Sequence, residues 1–315
     1  MKLWKRIASF AAASVTAAVI LTAIWAYEPD LPVAEARLKY AQPPSRFIDM
    51  LGMSVHLRDQ GDPNDSLPLV LLHGTSSSLH TWELLRKRIG EGRRVVTVDL
   101  PAFGLTGPSP ENRYSYDTYT LFLDSLLNRL DIDSCILGGN SLGGGIAWNY
   151  AVDRPGRVAR LILFDATGYP KTNESGSLGF KLAAMPGVGR LLLWFTPRTL
   201  VRKSLEQAYA DPGVVTEDMV TRYHDLILVE GNRRATLSLF QNPLRPDPAR
   251  IRQVRMPALV IWGEHDRLIG KEKAALFGAD IPGSRVVVLK NSGHVPMEES
   301  PDAVAEVLIP FIRYR

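Results

Sequence analysis

Short apolar runs alternate with helical periods along most of this chain, and that alternation leaves it few ways to fold. "LPLVLLHG" (67–74), "RVVTVDLP" (94–101), "SCIL" (134–137), "VARLILFDA" (158–166), "MPALVIWGEHD" (256–266) and "SRVVVLK" (284–290) carry continuous, largely β-branched cores. That is the pattern of strands covered on both faces. Between and after them, "LHTWELLRKRI", "YDTYTLFLDSLLNRL", "IAWNYAVDRPGRV" and "SPDAVAEVLIPFIRYR" have helical character. "RFIDMLGMSVHLRDQG" (46–61) reads as a hairpin turning near Gly52. The alternation predicts the α/β class, with a mostly parallel sheet flanked by helices.

Residues 169–248 break the rhythm. No strand pattern is evident there, and "GFKLAAMPGVGRLLLWFTPRTLVRKSLEQAYA" and "TEDMVTRYHDLILVEGNRRATLSLFQ" look helical. The insertion is too long for a plain crossover, so it is expected to be a helical cap or lid over the end of a core formed by 47–168 and 249–315.

The N-terminus carries a different signal. Ile7 to Tyr27 is uncharged, follows Lys2, Lys5 and Arg6, and has Trp25 and Tyr27 at its far end. As a helix it would span about 30 Å, roughly one hydrocarbon core. The expectation is a transmembrane signal anchor over 1–27 and a Pro-rich juxtamembrane linker over 28–46. The catalytic part would then lie on the non-cytoplasmic (periplasmic or extracellular) side. The alternative is secretion after signal cleavage; the small-x-small candidate Ala34-Glu35-Ala36 lies far downstream for that. The net charge is +4, of which those three N-terminal cations supply most. No basic stripe interleaved with aromatics points to nucleic acid. The one cysteine, Cys135, falls in a predicted buried strand and excludes an intrachain disulfide.

"GGNSLGGG" (138–145) lies between a buried strand and a helix. A phosphate loop would follow its last glycine with Lys and Ser/Thr, but here Ile146 and Ala147 follow. Gly139-x-Ser141-x-Gly143 fits a nucleophile elbow, in which a strained backbone exposes a serine hydroxyl and tiny neighbours let strand and helix approach. The bland alternative is a plain turn serine. A serine nucleophile needs a base and an anion-stabilising site, and in this arrangement acid and histidine follow in that order. Asp266, past the strand in "WGEHDRLI", and His294, in "NSGHVPMEES" after the last strand, supply them; Glu264 and Asp165 are the rival acids. His56, His73, His80, His224 and His265 lie in strands, in helices or beside the acid, none in a late loop. Ser141 is therefore the candidate nucleophile, His294 the general base and Asp266 its orienting partner. The backbone N–H groups of Leu142 and Thr75 are the candidate oxyanion donors. No His-Glu-x-x-His or Cys pair suggests a metal, and no cofactor is expected.

With these residues in place, the chain from about Phe47 to its C-terminus resembles the α/β-hydrolase superfamily. "LLHGTSSS", "VTVDLPAFGLTGPS", "GGNSLGGG", "VIWGEHDRLI" and "NSGHVPMEESP" match that superfamily's landmark blocks in order. The resemblance implies the α/β-hydrolase fold with a cap. With the anchor, it looks like monoacylglycerol-lipase-type proteins and small bacterial esterases or lipases. The implied function is cleavage of a small-molecule carboxylic ester, possibly a lipid, through an acyl-enzyme on Ser141. Ser141 stands where the dehalogenase and epoxide hydrolase branches use Asp. Carbon–carbon bond hydrolases of vinylogous diketone acids share the serine and use a cap arginine, which Arg233 or Arg234 could mimic, but often carry Trp where this chain has Val295. A hydrolase-fold binding module without activity is the alternative from another class. The apolar run Leu191 to Phe195 is either an acyl-binding surface or ordinary cap packing.

Overall fold

The structure is a computed structural model that describes residues 4, 7–11, 13, 14, 16, 17, 27–170, 177–185 and 187–313. Its centre is an eight-stranded sheet in the order β1-β2-β4-β3-β5-β6-β7-β8. The strands are β1 (Arg46–Met50), β2 (Met53–Gln60), β3 (Leu69–Leu72), β4 (Val95–Val98), β5 (Cys135–Asn140), β6 (Val158–Phe164), β7 (Ala258–Gly263) and β8 (Arg285–Leu289). β1 and β2 form an antiparallel hairpin, and β2 meets β4 antiparallel; every other pairing is parallel.

Period-two alternation explains why the inner strands read as unbroken apolar runs. Leu69, Leu71, Ile136, Ile162, Phe164, Leu259 and Ile261 enter one core cluster. Val70, Leu72, Leu137, Leu161, Leu163, Val260 and Trp262 enter the cluster on the opposite face. Both faces are covered by helices, so neither set can be polar. Burying each such side chain stabilises the fold by roughly 1.5–3 kcal/mol.

Among the described residues from Val33 onward, the α-helices are α1 (Val33–Tyr40), α2 (Glu83–Ile89), α3 (Tyr116–Arg129), α4 (Leu142–Asp153), α5 (Leu178–Ala184), α6 (Val188–Leu191), α7 (Arg198–Ala208), α8 (Glu217–Leu228), α9 (Asn232–Gln241), α10 (Glu272–Asp280), α11 (Pro296–Glu299) and α12 (Pro301–Arg313). Helix α3 starts on a capping box in which Ser115 and Thr118 satisfy each other's backbone N–H. Helices α5 to α9 fall in the stretch expected to form the cap.

Two N-terminal expectations change. Among the described residues no helix is long and apolar enough to cross a membrane, which overturns the transmembrane anchor and the non-cytoplasmic placement built on it. A crossing needs about 20 apolar residues in one helix, and most of 1–27 lies outside the described residues. The stretch 28–46, expected to be a linker, carries helix α1. Ala36 of this helix is fully buried with Leu105, Leu226 and Val229, and Leu31 bridges to Val229.

Candidate active site

The chain builds outward from β3 to β4 and then crosses to the other side of β3 for β5, so the sheet order reverses beside β3. Open α/β sheets place ligands at the C-terminal strand ends at such a point. Thr75 follows β3 there, and Ser141 follows β5.

Ser141 has φ 53° and ψ −114°, a backbone conformation that is costly for a residue with a Cβ. Glycine is required on both sides of it. A Cβ on Gly139 would lie 2.3 Å from the Gly143 backbone, and one on Gly143 would lie 2.4 Å from the Leu72 carbonyl oxygen. Strand, turn and helix therefore meet at backbone contact, and the serine is carried out at the apex. The β3 loop is pressed against the same apex: a Cβ on Gly74 would be 3.1 Å from Ser141 Cβ. Leu142 is the first residue of α4, where backbone N–H groups have no intrahelical acceptor and the helix dipole favours negative charge.

His294 Nδ1 bonds Asp266 Oδ2 at 2.8 Å, and both residues are buried. Asp266 Oδ1 accepts the N–H groups of Leu268 (2.7 Å) and Ile269 (3.0 Å), which fixes the carboxylate. A proton on Nδ1 shared with Asp266 would leave His294 Nε2 free to accept one. Ser141, His294 and Thr75 line one cavity together with residues of α5, α7, α8 and α9. Among the described residues no hydrogen bond joins Ser141 Oγ to His294; such contacts are often long before substrate binds.

The two rival acids have other hydrogen-bond partners. Glu264 is partly exposed and pairs with Lys271 at 3.3 Å. Asp165 is fully buried at the end of β6, with φ 45°, and its Oδ1 accepts the Gly263 N–H at 2.8 Å. Burial first, and then the Asp266 carboxylate, push the Asp165 carboxyl well above its ordinary range. Asp266, not Asp165, makes the hydrogen bond to His294. Asp165 Oδ2 has no hydrogen-bond partner among the described residues. The polar atoms of Asp165, Asp266 and His294 lie within 4.8 Å of one another, the spacing of a metal-ligand set; here Asp266 and His294 bind each other.

The other histidines are held elsewhere. His73 bonds the Gly74 carbonyl at 2.7 Å and accepts the Leu100 N–H at 2.9 Å. His56 bonds Asp99 at 2.7 Å. Burial alone would raise the Asp99 carboxyl, but the adjacent His56, followed by His73 and His80, holds it well below the usual carboxylate range. His80 is tied to Ser78 and the Tyr40 carbonyl. His224 bonds the Thr196 carbonyl at 2.8 Å, and His265 is half exposed.

Two residues that support the site were missed from the sequence. Asn140 Nδ2 donates to the carbonyls of Phe164 (3.2 Å) and His294 (2.9 Å), linking the elbow to the histidine loop. A polar residue closing a buried strand was the available signal. Glu299 accepts the N–H groups of Gly293 (2.6 Å) and Ala210 (2.8 Å), joining that loop to the cap.

The profile of the alpha/beta hydrolase family matches residues 69–307, so the chain belongs to that family. It is similar to an uncharacterized hydrolase, YugF, of Bacillus subtilis: 25% identical over 271 residues, covering 86% of this chain and 98% of that protein. It is 27% identical over 278 residues to a 2-hydroxy-6-oxononadienedioate/2-hydroxy-6-oxononatrienedioate hydrolase of Burkholderia vietnamiensis, covering 83% of this chain and 91% of that one. Among solved structures, the meta-cleavage product hydrolase CumD of Pseudomonas fluorescens shares the fold. Its TM-score is 0.72 at 24% identity, covering 85% of this chain and 97% of that one.

Proposed function

We propose, from the chain's membership of the alpha/beta hydrolase family and from the walls of its cavity, that it cleaves neutral carboxylic esters through an acyl-enzyme on Ser141. His294 takes the Ser141 proton as the hydroxyl attacks the ester carbonyl. Asp266 keeps the imidazole in the right tautomer and stabilises its charged form. The N–H groups of Thr75 and Leu142 receive the oxyanion. His294 returns the proton to the departing alcohol, then activates the water that releases the acid.

The observation that carries this reading is the cavity wall. Phe180, Leu192, Leu193, Leu200, Leu237 and Phe240 supply an apolar lining. Among the lining residues Arg233 is the one Lys or Arg, and its Nε and Nη2 are bonded to Asp30 Oδ1 at 3.0 and 2.6 Å. Its Nη1 has no hydrogen-bond partner among the described residues, but the paired Asp30 carboxylate offsets the charge an acidic substrate would meet, while an apolar acyl group would gain from the lining.

The second reading is carbon–carbon hydrolysis, supported by relatives that, by name, act on 2-hydroxy-6-oxo acids. The two are separated by assaying p-nitrophenyl esters from acetate to palmitate beside 2-hydroxy-6-oxo-2,4-heptadienoate, with Ser141→Ala as control. The ester reading expects turnover on the esters that vanishes in the variant. Turnover on the oxo acid alone, lost when Arg233 is changed to Met, would replace it.

A further inference from the structure

We propose that Glu298 is a positioning residue for this reaction, holding the oxyanion loop, the cap and the histidine loop in one arrangement through Tyr223 and Ser77; the proposal rests on the serine-hydrolase reading above. The Glu298 side chain is only 7% exposed. A carboxylate so buried is stable only when its oxygens are fully matched. Its Oε1 accepts from Thr81 Oγ1 (2.6 Å) and the Tyr223 hydroxyl (2.7 Å). Its Oε2 accepts from the Tyr209 hydroxyl (3.0 Å) and Arg222 Nη2 (2.9 Å), and the guanidinium balances its charge.

The four donors come from separate parts of the molecule. Thr81 lies in the 3-10 turn Leu79–Trp82, which follows the loop that starts at Gly74. Tyr209 follows cap helix α7, and Arg222 and Tyr223 lie on cap helix α8. Glu298 itself sits on α11, four residues after His294. No other side chain described above joins these three regions at once.

The link reaches the oxyanion donor by a short path. The Tyr223 hydroxyl lies 3.3 Å from Ser77 Oγ. A carboxylate only accepts, so Tyr223 gives its hydrogen to Glu298 and its oxygen accepts from Ser77. Ser77 is two residues beyond Thr75, in a turn closed by its own N–H to the Gly74 carbonyl at 3.3 Å. Thr75, Ser77, Tyr209, Tyr223 and His294 all line the cavity. Substrate in the cavity therefore touches side chains whose orientation Glu298 sets. Oxyanion donors act only when held close to the developing charge.

The test uses the full chain and two variants, Glu298→Gln and Tyr223→Phe, the second of which keeps the ring and removes only the hydroxyl. kcat and KM for a p-nitrophenyl ester and the rate of Ser141 labelling by a fluorophosphonate are measured. Each variant is expected to lower kcat and labelling about tenfold, less than the ~10²–10³ of deleting an oxyanion donor, with KM within about twofold. The double variant should be no worse than about the weaker single one, because both break the same link. Lower thermal stability with unchanged kcat and labelling would make Glu298 merely structural and overturn the proposal. If Glu298→Gln does not fold, Tyr223→Phe decides alone by the same criteria. Failure of the wild-type chain to label at all would overturn the serine-hydrolase reading instead.

Discussion

The backbone N–H of His294 donates to the carbonyl of Ala208, the last residue of cap helix α7, at 2.7 Å. The candidate base is thus held partly by the cap and not by the core alone. Gly293 makes the contact possible: a Cβ there would lie 2.3 Å from the Ala208 oxygen and 2.7 Å from the Ala210 nitrogen. Gly293→Ala should push loop and cap apart, costing about 1–3 kcal/mol of stability and lowering kcat at least about tenfold, since small misplacements of catalytic groups are costly. Steady-state kinetics beside thermal unfolding check both; unchanged kcat would show that the cap contact does not place His294.

Asp266 rather than Glu264 should orient the histidine. Asp266→Asn keeps the shape but cannot hold the same tautomer, and kcat should fall by about 10³–10⁴. Glu264→Gln, at a partly exposed carboxylate paired with Lys271, should change kcat by less than about twofold, as surface ion pairs contribute little. A reversal of the two effects, read by the same ester assay, would reassign the acid.

The elbow makes a stability prediction with its own control. The Gly143 site is bounded by the backbone oxygens of Leu72 and His73, and β3 is pinned between β4 and β5, so neither can give way. Gly143→Ala should cost about 3 kcal/mol, at the upper end for overpacking. Gly92→Ala meets open space and should be close to neutral. Denaturant unfolding of the pair measures the difference; equal midpoints would mean that strand and helix are not in backbone contact.

Asp165 predicts a pH dependence. Its folded pKa is raised above the 3.8 of an ordinary aspartate, so the folded chain keeps a proton that the unfolded chain releases. Its contribution is fully present below that ordinary value and is lost as pH rises toward the folded pKa. Asn stays neutral throughout, so Asp165→Asn should stabilise the protein more at pH 8 than at pH 5. Melting temperatures across that range test this, and identical profiles for both proteins would mean that Asp165 is ionised in the fold.

What could be read from the sequence was local or ordered along the chain. Gly139, Ser141 and Gly143 sit within one turn, so the steric demand for glycine shows in the residues themselves. Asp266 and His294 end or follow strands, and chain order alone suggested their roles. Asn140 was not legible, because its partner His294 is 154 residues away. Helix α1 was missed for a related reason. It is short and polar, only Ala36 is fully buried, and its packing partners Leu226 and Val229 lie in the cap, so no periodicity announced it. The expected anchor rested on apolar composition over 7–27; among the described residues no helix is long and apolar enough to cross a membrane.

The most direct measurement of the central claim is hydrolysis of p-nitrophenyl esters of increasing chain length by the full chain, beside fluorophosphonate labelling, with Ser141→Ala as control. The account predicts turnover that improves as the acyl chain fills the cavity, with both turnover and labelling abolished in the variant. Turnover that survives Ser141→Ala, or a wild-type serine that takes no label, would contradict it.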